Sequence, residues 1–173
     1  MKPNREKRPV LKLRLSRTDY LLETFNIILL LIIWIIPAIS FQNMPEIIPT
    51  HYGIDGQADG WGSRSTIFIL PFISLLLSIG LSTLNRFPHL FNYTVKVTEE
   101  NALYLYTKGA RLFRIVKLIH AMVFLFIEWQ VCNVSENNQL PAWFLPVVII
   151  IPVVLPVIMA LTLSKGSAAI KKK

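Results

Sequence analysis

Charge, cysteine and enzyme motifs are all scarce in this sequence. Charged side chains account for only 16% of its 173 residues, whereas hydrophobic ones account for 53%. Since a soluble domain carries about 25% charged residues, the composition argues against a soluble fold. The single cysteine, Cys132, excludes a disulfide within the chain, and we expect a buried thiol near a helix end. The chain has no phosphate-binding glycine loop, no Gly-x-Ser-x-Gly turn and no His-Glu-x-x-His helix, so we predict neither an enzyme nor a bound cofactor.

Four long apolar runs are what the chain has instead. Each is close to the roughly 20 residues that cross a hydrocarbon layer about 30 Å thick, and lipid forces such segments to be helical. The runs cover residues 21–41, 67–84, 112–129 and 143–163. We therefore predict an all-α membrane protein, a four-helix bundle over residues 20–163, with basic segments at 1–19 and 164–173. A cleaved signal peptide ending near Ser40 is the alternative to an uncleaved first span.

Basic residues set the predicted orientation, because Lys and Arg accumulate on the cytoplasmic side of membrane proteins. Seven precede the first run, six lie between the second run and the start of the third, and four follow the fourth. The loop between the first two runs contains only Arg64, and the loop between the last two contains none. Both termini and the middle loop are thus predicted to be cytoplasmic. This layout also argues against a nucleic-acid partner despite the formal charge of +8, because the charges form no soluble basic face.

The middle loop is predicted to contain the start of the third helix. Thr98 supplies a hydroxyl cap, and the acids that follow it suit the positive end of a helix. We expect one long helix that begins in the cytoplasm and continues into the third span, with Gly109 as a soft point. Three basic residues on it are spaced by three, and we predict that this stripe reaches the phosphates of an anionic inner leaflet. The stripe consists of Arg111, Arg114 and Lys117.

The loop between the first two runs is rich in turn residues. Glycine occupies positions 53, 56, 60 and 62, and Asp-Gly pairs occur at 55–56 and 59–60. Such pairs favour tight turns, because glycine accepts positive φ and aspartate bonds to nearby backbone. We predict an extended segment from Ile47 to Tyr52 and then a turn, in a compact and ordered extracytoplasmic loop. Trp61 is expected at the outer interface, where amphipathic rings accumulate.

Several rare residues of this loop occur in an order that resembles a bacterial family. Pro45, the Ile-Pro-Thr-His-Tyr run at 48–52, Gly56 and the Asp-Gly-Trp-Gly run at 59–62 carry the resemblance. They are similar to the domain of unknown function that forms the N-terminal membrane part of SdpI-type immunity proteins. The segment from Arg86 to Ala102 is also similar to stand-alone members. Immunity proteins carry a further membrane region for which 173 residues leave no room, so we expect a short stand-alone member in the bacterial inner membrane.

Three hypotheses cover the side chains of this loop. His51, Asp55 and Asp59 are spaced by four and are ligand types that a divalent metal accepts, although the spacing matches no recognised metal motif. Alternatively, both aspartates cap turns and His51 hydrogen-bonds the loop to the helix ends. The third hypothesis is direct contact with an extracytoplasmic peptide or protein, because an ordered loop with exposed His51, Tyr52 and Trp61 suits recognition.

Two ionisable residues lie within the predicted spans and need an explanation. His120 follows Lys117 by about one turn, and Glu128 shares a helix face with Lys117 three turns away. One interpretation is a polar path for protons or ions. The interpretation we favour is two interfacial charges, with His120 bonding a neighbouring helix, because no partner acids are evident in the other spans.

The remaining features concern packing. The fourth run contains Pro146, Pro152 and Pro156, which we interpret as bends in a packed helix rather than as a transport site. Small residues in the second run favour contact with another copy of the chain, so a homo-oligomer is expected. They are Ser74, Ser78, Gly80 and Ser82.

The leading hypothesis is therefore a non-enzymatic membrane protein that recognises a toxin, a peptide or another envelope protein through the loop at 45–63. The alternatives are a small transporter or channel subunit using His120 and Glu128, and a metal-dependent envelope protein.

Overall fold

The computed structural model describes residues 8–93, 95–133, 139–151, 153–154 and 157–158. Within them the chain is mostly helical, as predicted, but it also contains a two-stranded antiparallel sheet. The helices are α1 (Arg17–Ser40), α2 (Ile69–Leu84) and α3 (Glu99–Cys132), and the strands are β1 (Ile47–Tyr52) and β2 (Ala58–Ser63). A fourth helix, α4, begins at residue 144, and its described residues are 144–151, 153–154 and 157–158.

Among the described residues, two helical segments are long and apolar enough to cross a membrane, by length and composition. They are Arg17–Asn43 and Arg64–Leu84, with mean hydropathies of 2.4 and 2.3. Part of the predicted fourth span, including Pro152 and Pro156, lies outside the described residues. Residues 1–7 and 164–173 of the two basic end segments also lie outside them.

On α1 and α2, polar residues are among those that are buried, and many large apolar side chains are exposed. On α1 the buried residues include Asp19 and Asn26, and on α2 they include Ser74 and Ser78. Large apolar side chains on the same helices are exposed, among them Leu21, Phe25, Leu31, Ile35, Phe72, Leu76 and Ile79. This arrangement is the reverse of the usual pattern for a helix packed on a soluble core.

Both long helices begin with the cap that their sequences specify. At α1, the Ser16 hydroxyl accepts a bond from the Asp19 amide at 3.3 Å, and the Asp19 carboxylate accepts one from the Ser16 amide at 2.9 Å. At α3, the Thr98 amide donates to the Asn101 side chain at 2.8 Å. Reciprocal caps of this kind satisfy amides that have no partner inside the helix. The predicted start of α3 after Thr98 is thus confirmed.

The first part of α3 is packed, not free. Val97, Ala102, Leu105 and Tyr106 form a buried cluster, which the partly buried side chains of Leu11, Leu13, Tyr93 and Val95 cover. The Tyr106 hydroxyl donates to the Pro9 carbonyl at 3.0 Å, and Arg8 donates to the carbonyls of His89 and Phe91 at 3.1 and 2.7 Å. The N-terminal segment 8–15 therefore holds the connector 85–98 against the base of α3, and we call this assembly the inner cap.

Gly109 is a close-packing position and not a soft point. A Cβ at Gly109 would lie 2.9 Å from the Tyr93 hydroxyl and 3.3 Å from the Phe91 ring, and α3 continues through this residue without a break. The Phe91 ring stacks on Phe113 with centroids 4.2 Å apart. Burial raises the pKa of the Tyr93 and Tyr106 hydroxyls, so both remain protonated donors at neutral pH.

Candidate functional site

The loop at 45–63 is a β-hairpin. The predicted extended segment from Ile47 to Tyr52 is confirmed as β1, and its antiparallel partner β2 was not predicted. The turn between them contains Gly56 at a φ of +79°, which glycine adopts without strain. Gly56 donates to the Gly53 carbonyl at 2.9 Å, and Gly53 donates to the Gln57 carbonyl at 2.8 Å. The turn is therefore closed by its own backbone.

A second loop braces this turn. The Leu140 amide donates to the Gly56 carbonyl at 2.8 Å, and Gln139 forms an isolated antiparallel bridge with Gln57. Leu140 itself is buried, and a Cβ at position 56 would lie 2.6 Å from its carbonyl oxygen. The loops that follow α1 and α3 thus meet at one end of the bundle, and the inner cap lies at the other end.

The exposed face of the hairpin contains an ion pair. His51 Nδ1 contacts Asp59 Oδ1, and the two side chains remain 72% and 53% exposed. Trp61 is 53% exposed, and Ile54, at the tip, is fully exposed. Tyr52 differs from the prediction, because its side chain is half-buried and its hydroxyl is enclosed. Burial raises the pKa of this hydroxyl.

Of the three possible metal ligands, His51 and Asp59 pair with each other, and Asp55 caps the turn. Asp55 accepts a hydrogen bond from the Gln57 amide at 3.0 Å, which is the turn-capping role considered above. His51 is paired with Asp59. Among the described residues, no group of three or more His, Cys, Asp or Glu side chains is arranged to hold a metal ion. The geometry of the hairpin therefore gives the metal-dependent alternative no support.

A buried charge network joins α1 to α3 at the end near the inner cap. Asp19 Oδ1 accepts from Arg111 Nε at 3.2 Å and from Arg114 Nη1 at 3.5 Å. Glu23 lies 3.2 Å from Arg114 Nε and accepts from Lys117 Nζ, which also donates to Ser82 at 2.9 Å. The prediction that the basic stripe reaches lipid phosphates is therefore wrong for Arg114 and Lys117. Both are buried, with only 8% and 4% of their surface exposed.

The acids of this network were missed in the sequence. Asp19 and Glu23 are four residues apart, so they share one face of α1, just as the three bases share one face of α3. The matched spacing was the available signal for their pairing. Both acids lie at the cytoplasmic edge predicted for the first apolar run, where a charged residue is easily read as a surface group.

A polar line continues from the network toward the middle of the bundle. Ser78 donates to the Asn26 side chain at 2.8 Å, and Asn26 donates to the Lys117 carbonyl at 3.3 Å. The space beside them is too narrow to hold a water molecule. The Ser74 hydroxyl and His120 Nε2 border this space, are buried, and find no hydrogen-bond partner among the described residues. The predicted bond from His120 to a neighbouring helix is therefore not seen there, and the small residues Ser74 and Ser78 pack inside the chain.

Glu128 lies further along α3 and is completely buried. Its exposed surface is 0%, and neither carboxylate oxygen has a hydrogen-bond partner among the described residues. Cys132, one turn later, is only partly buried. The bundle therefore encloses the side chains of both Lys117 and Glu128.

Comparison with known proteins finds a family model that matches a segment containing the hairpin. Residues 28–75 match the model of a domain of unknown function, DUF1648, which confirms the resemblance inferred from the loop. An uncharacterized protein from the archaeon Archaeoglobus fulgidus is 26% identical over 151 residues, which cover 79% of this chain and 82% of the relative. No solved structure matches. The matched family segment runs from α1 through the hairpin into α2.

Proposed function

We propose that this chain is a non-enzymatic, multi-pass membrane protein that recognises an extracytoplasmic partner through the hairpin. In this proposal four helices cross a prokaryotic plasma membrane, the inner cap and both termini are cytoplasmic, and the hairpin faces outward. The partner is a toxin, a peptide or an envelope protein, and the role is immunity-like. The exposed apolar faces of α1 and α2 support the membrane setting, because such faces need lipid or a partner to cover them.

One observation carries the recognition proposal: a second loop braces the turn of the hairpin, yet several side chains of the hairpin remain exposed. Its turn is bonded to Leu140, and Ile48 is only 4% exposed. Ile54, His51 and Asp59 remain open on the other side. A preformed loop loses little conformational entropy on binding, so such a surface favours recognition.

The first experiment tests topology and recognition together. A Cys132→Ala chain carrying Ile54→Cys is treated, in intact cells, with a membrane-impermeant maleimide linked to benzophenone. We expect labelling at position 54 and, after illumination, one discrete cross-linked partner. Adding His51→Ala and Asp59→Ala should remove the cross-link but keep the labelling, because these two side chains form the exposed ion pair.

The matched control is Lys108→Cys in the same background, which lies on the exposed side of α3 near the inner cap. It should react only after the membrane is permeabilised. Labelling of position 108 in intact cells would contradict the orientation. A labelled hairpin whose cross-linked products do not depend on His51 and Asp59 would contradict recognition through this face.

Glu128 favours a second candidate function, movement of protons or small cations. Burying a carboxylate without a partner is costly in a membrane, and such residues commonly mark ion pathways. Lys117, His120 and Glu128 follow one another along the interior side of α3, and each is at least partly enclosed.

The test of this second function is proton or cation flux into liposomes that contain the purified chain. Flux above that of empty liposomes is expected to fall to background in Glu128→Gln, because the amide cannot carry the charge. Glu100→Gln is the control, since Glu100 is an exposed carboxylate in the first turn of the same helix. Equal flux from both variants would exclude Glu128 as the carrier.

A further inference from the structure

A groove lies at the base of the hairpin, where the chain leaves α1 and enters α2. Its volume is about 640 Å³, and its lining includes Phe41, Glu46, Trp61 and Arg64. The first membrane-length segment ends at Asn43, and the second begins at Arg64. In the proposed membrane setting, the groove therefore lies at the depth of the lipid headgroups.

Arg64 is held in place by part of its guanidinium group. Nη1 donates to the carbonyls of Phe41 at 3.5 Å and Met44 at 3.3 Å, and the group lies 4.7 Å from the centre of the Phe41 ring. Nε and Nη2 make no hydrogen bond within the described part of the chain, and no carboxylate there lies within ion-pair distance. An arginine has five N–H donors in a fixed fork, so those of Nε and Nη2 remain available for a phosphate or carboxylate.

Glu46 adds the opposite charge to the same groove. Its backbone carbonyl accepts a bond from the Arg64 amide at 2.9 Å, but its exposed carboxylate forms no ion pair with Arg64. The groove thus presents an anion-binding and a cation-binding group side by side. A ligand that satisfies both is a zwitterion with an acidic and an amino end.

Exposed apolar side chains flank the groove, where they could contact the acyl chains of a lipid. Trp61 is 53% exposed and Ile47 is 63% exposed. A tryptophan beside an arginine at a membrane boundary is typical of the headgroup region. We propose that this groove binds the headgroup of an amine-bearing zwitterionic phospholipid, with the phosphate on Arg64 and the ammonium group on Glu46. The proposal rests on the membrane setting but not on partner recognition.

The experiment is lipid titration of the purified full-length chain in detergent, followed by native mass spectrometry. Phosphatidylethanolamine and phosphatidylglycerol are compared, with soluble phosphoethanolamine as a third ligand. We expect Arg64→Gln to weaken phosphatidylethanolamine binding about tenfold, because a charge-assisted fork is lost. Arg64→Lys keeps the charge without the fork and should bind with intermediate affinity. Glu46→Gln should abolish the preference for phosphatidylethanolamine over phosphatidylglycerol.

Arg86→Gln is the matched control, since Arg86 is an exposed arginine just beyond the opposite end of α2, and it should bind like the unmodified chain. Equal binding by the Arg64 variants and the control would overturn the site. An unchanged lipid preference in Glu46→Gln would overturn the assigned ammonium contact. Soluble phosphoethanolamine that binds as tightly as the lipid would overturn the lipid assignment and identify a free zwitterion as the ligand.

Discussion

Asp19→Asn is expected to lower the free energy of unfolding by about 3 kcal/mol, because it removes a buried carboxylate that pairs with two guanidinium groups. The Asp19 side chain is only 4% exposed and faces the guanidinium groups of both Arg111 and Arg114. Asparagine has nearly the same shape as aspartate and can still cap α1. The loss of stability therefore reflects the missing charge and not a change in side-chain volume. Reversible unfolding in mild detergent measures the effect.

Two comparisons separate this charge effect from a general fault in α1. Glu100→Gln, which removes an exposed carboxylate, should change stability by no more than about 0.5 kcal/mol. The double variant Asp19→Asn, Arg114→Met should lose less stability than the sum of the two single variants. Each single substitution leaves the other residue without its partner, and the double substitution removes both. Strictly additive losses would show that the network contributes nothing as a unit.

Tyr106→Ala should have an effect of similar size, about 3–5 kcal/mol, because a large aromatic side chain leaves a cavity that its neighbours fill only in part. Tyr106 is 0% exposed at the centre of the inner cap, and its hydroxyl holds Pro9. Tyr106→Phe removes only that hydrogen bond and should cost about 1 kcal/mol. Comparing the two substitutions therefore separates the contribution of packing from that of the hydrogen bond to Pro9.

Limited trypsin digestion measures whether the N-terminal segment 8–15 stays bound to the base of α3. In Tyr106→Ala, cleavage after Lys12 and Arg14 should accelerate strongly, since the N-terminal segment loses the surface on which Leu11 and Leu13 rest. Tyr104→Ala is the control, because Tyr104 lies on the same helix but is 37% exposed. If both substitutions speed cleavage equally, the segment is not held by the buried cluster.

Local signals made part of this structure predictable. The start of α3 follows from Thr98, because a cap and its acids are adjacent in the chain. Strand β1 follows from the apolar run at Ile47 and the Asp-Gly turn that comes after it. Strand β2 was missed because half of the run from Ala58 to Ser63 consists of Gly and Asp, which are poor strand formers. Its pairing with β1 overrides that local preference.

The interior was harder to predict, because it depends on which helix faces meet. Asp19 and Arg114 are 95 residues apart in sequence, and their pairing requires α1 to lie against α3. Glu128 looked interfacial from its position near the end of an apolar run, but packing encloses it completely. Sequence spacing identifies residues that share a face, whereas the direction of that face comes from the tertiary structure.

The bond between Leu140 and the hairpin turn has a consequence for biogenesis. The ribosome makes the hairpin more than 70 residues before it makes Leu140, so the turn is synthesised without its brace. In the proposed topology, the brace can form only after α3 has been inserted and the loop that follows it has crossed the membrane. The binding surface therefore matures late, when the second pair of helices is in place, and a nascent chain that stalls within α3 would display an unsupported hairpin.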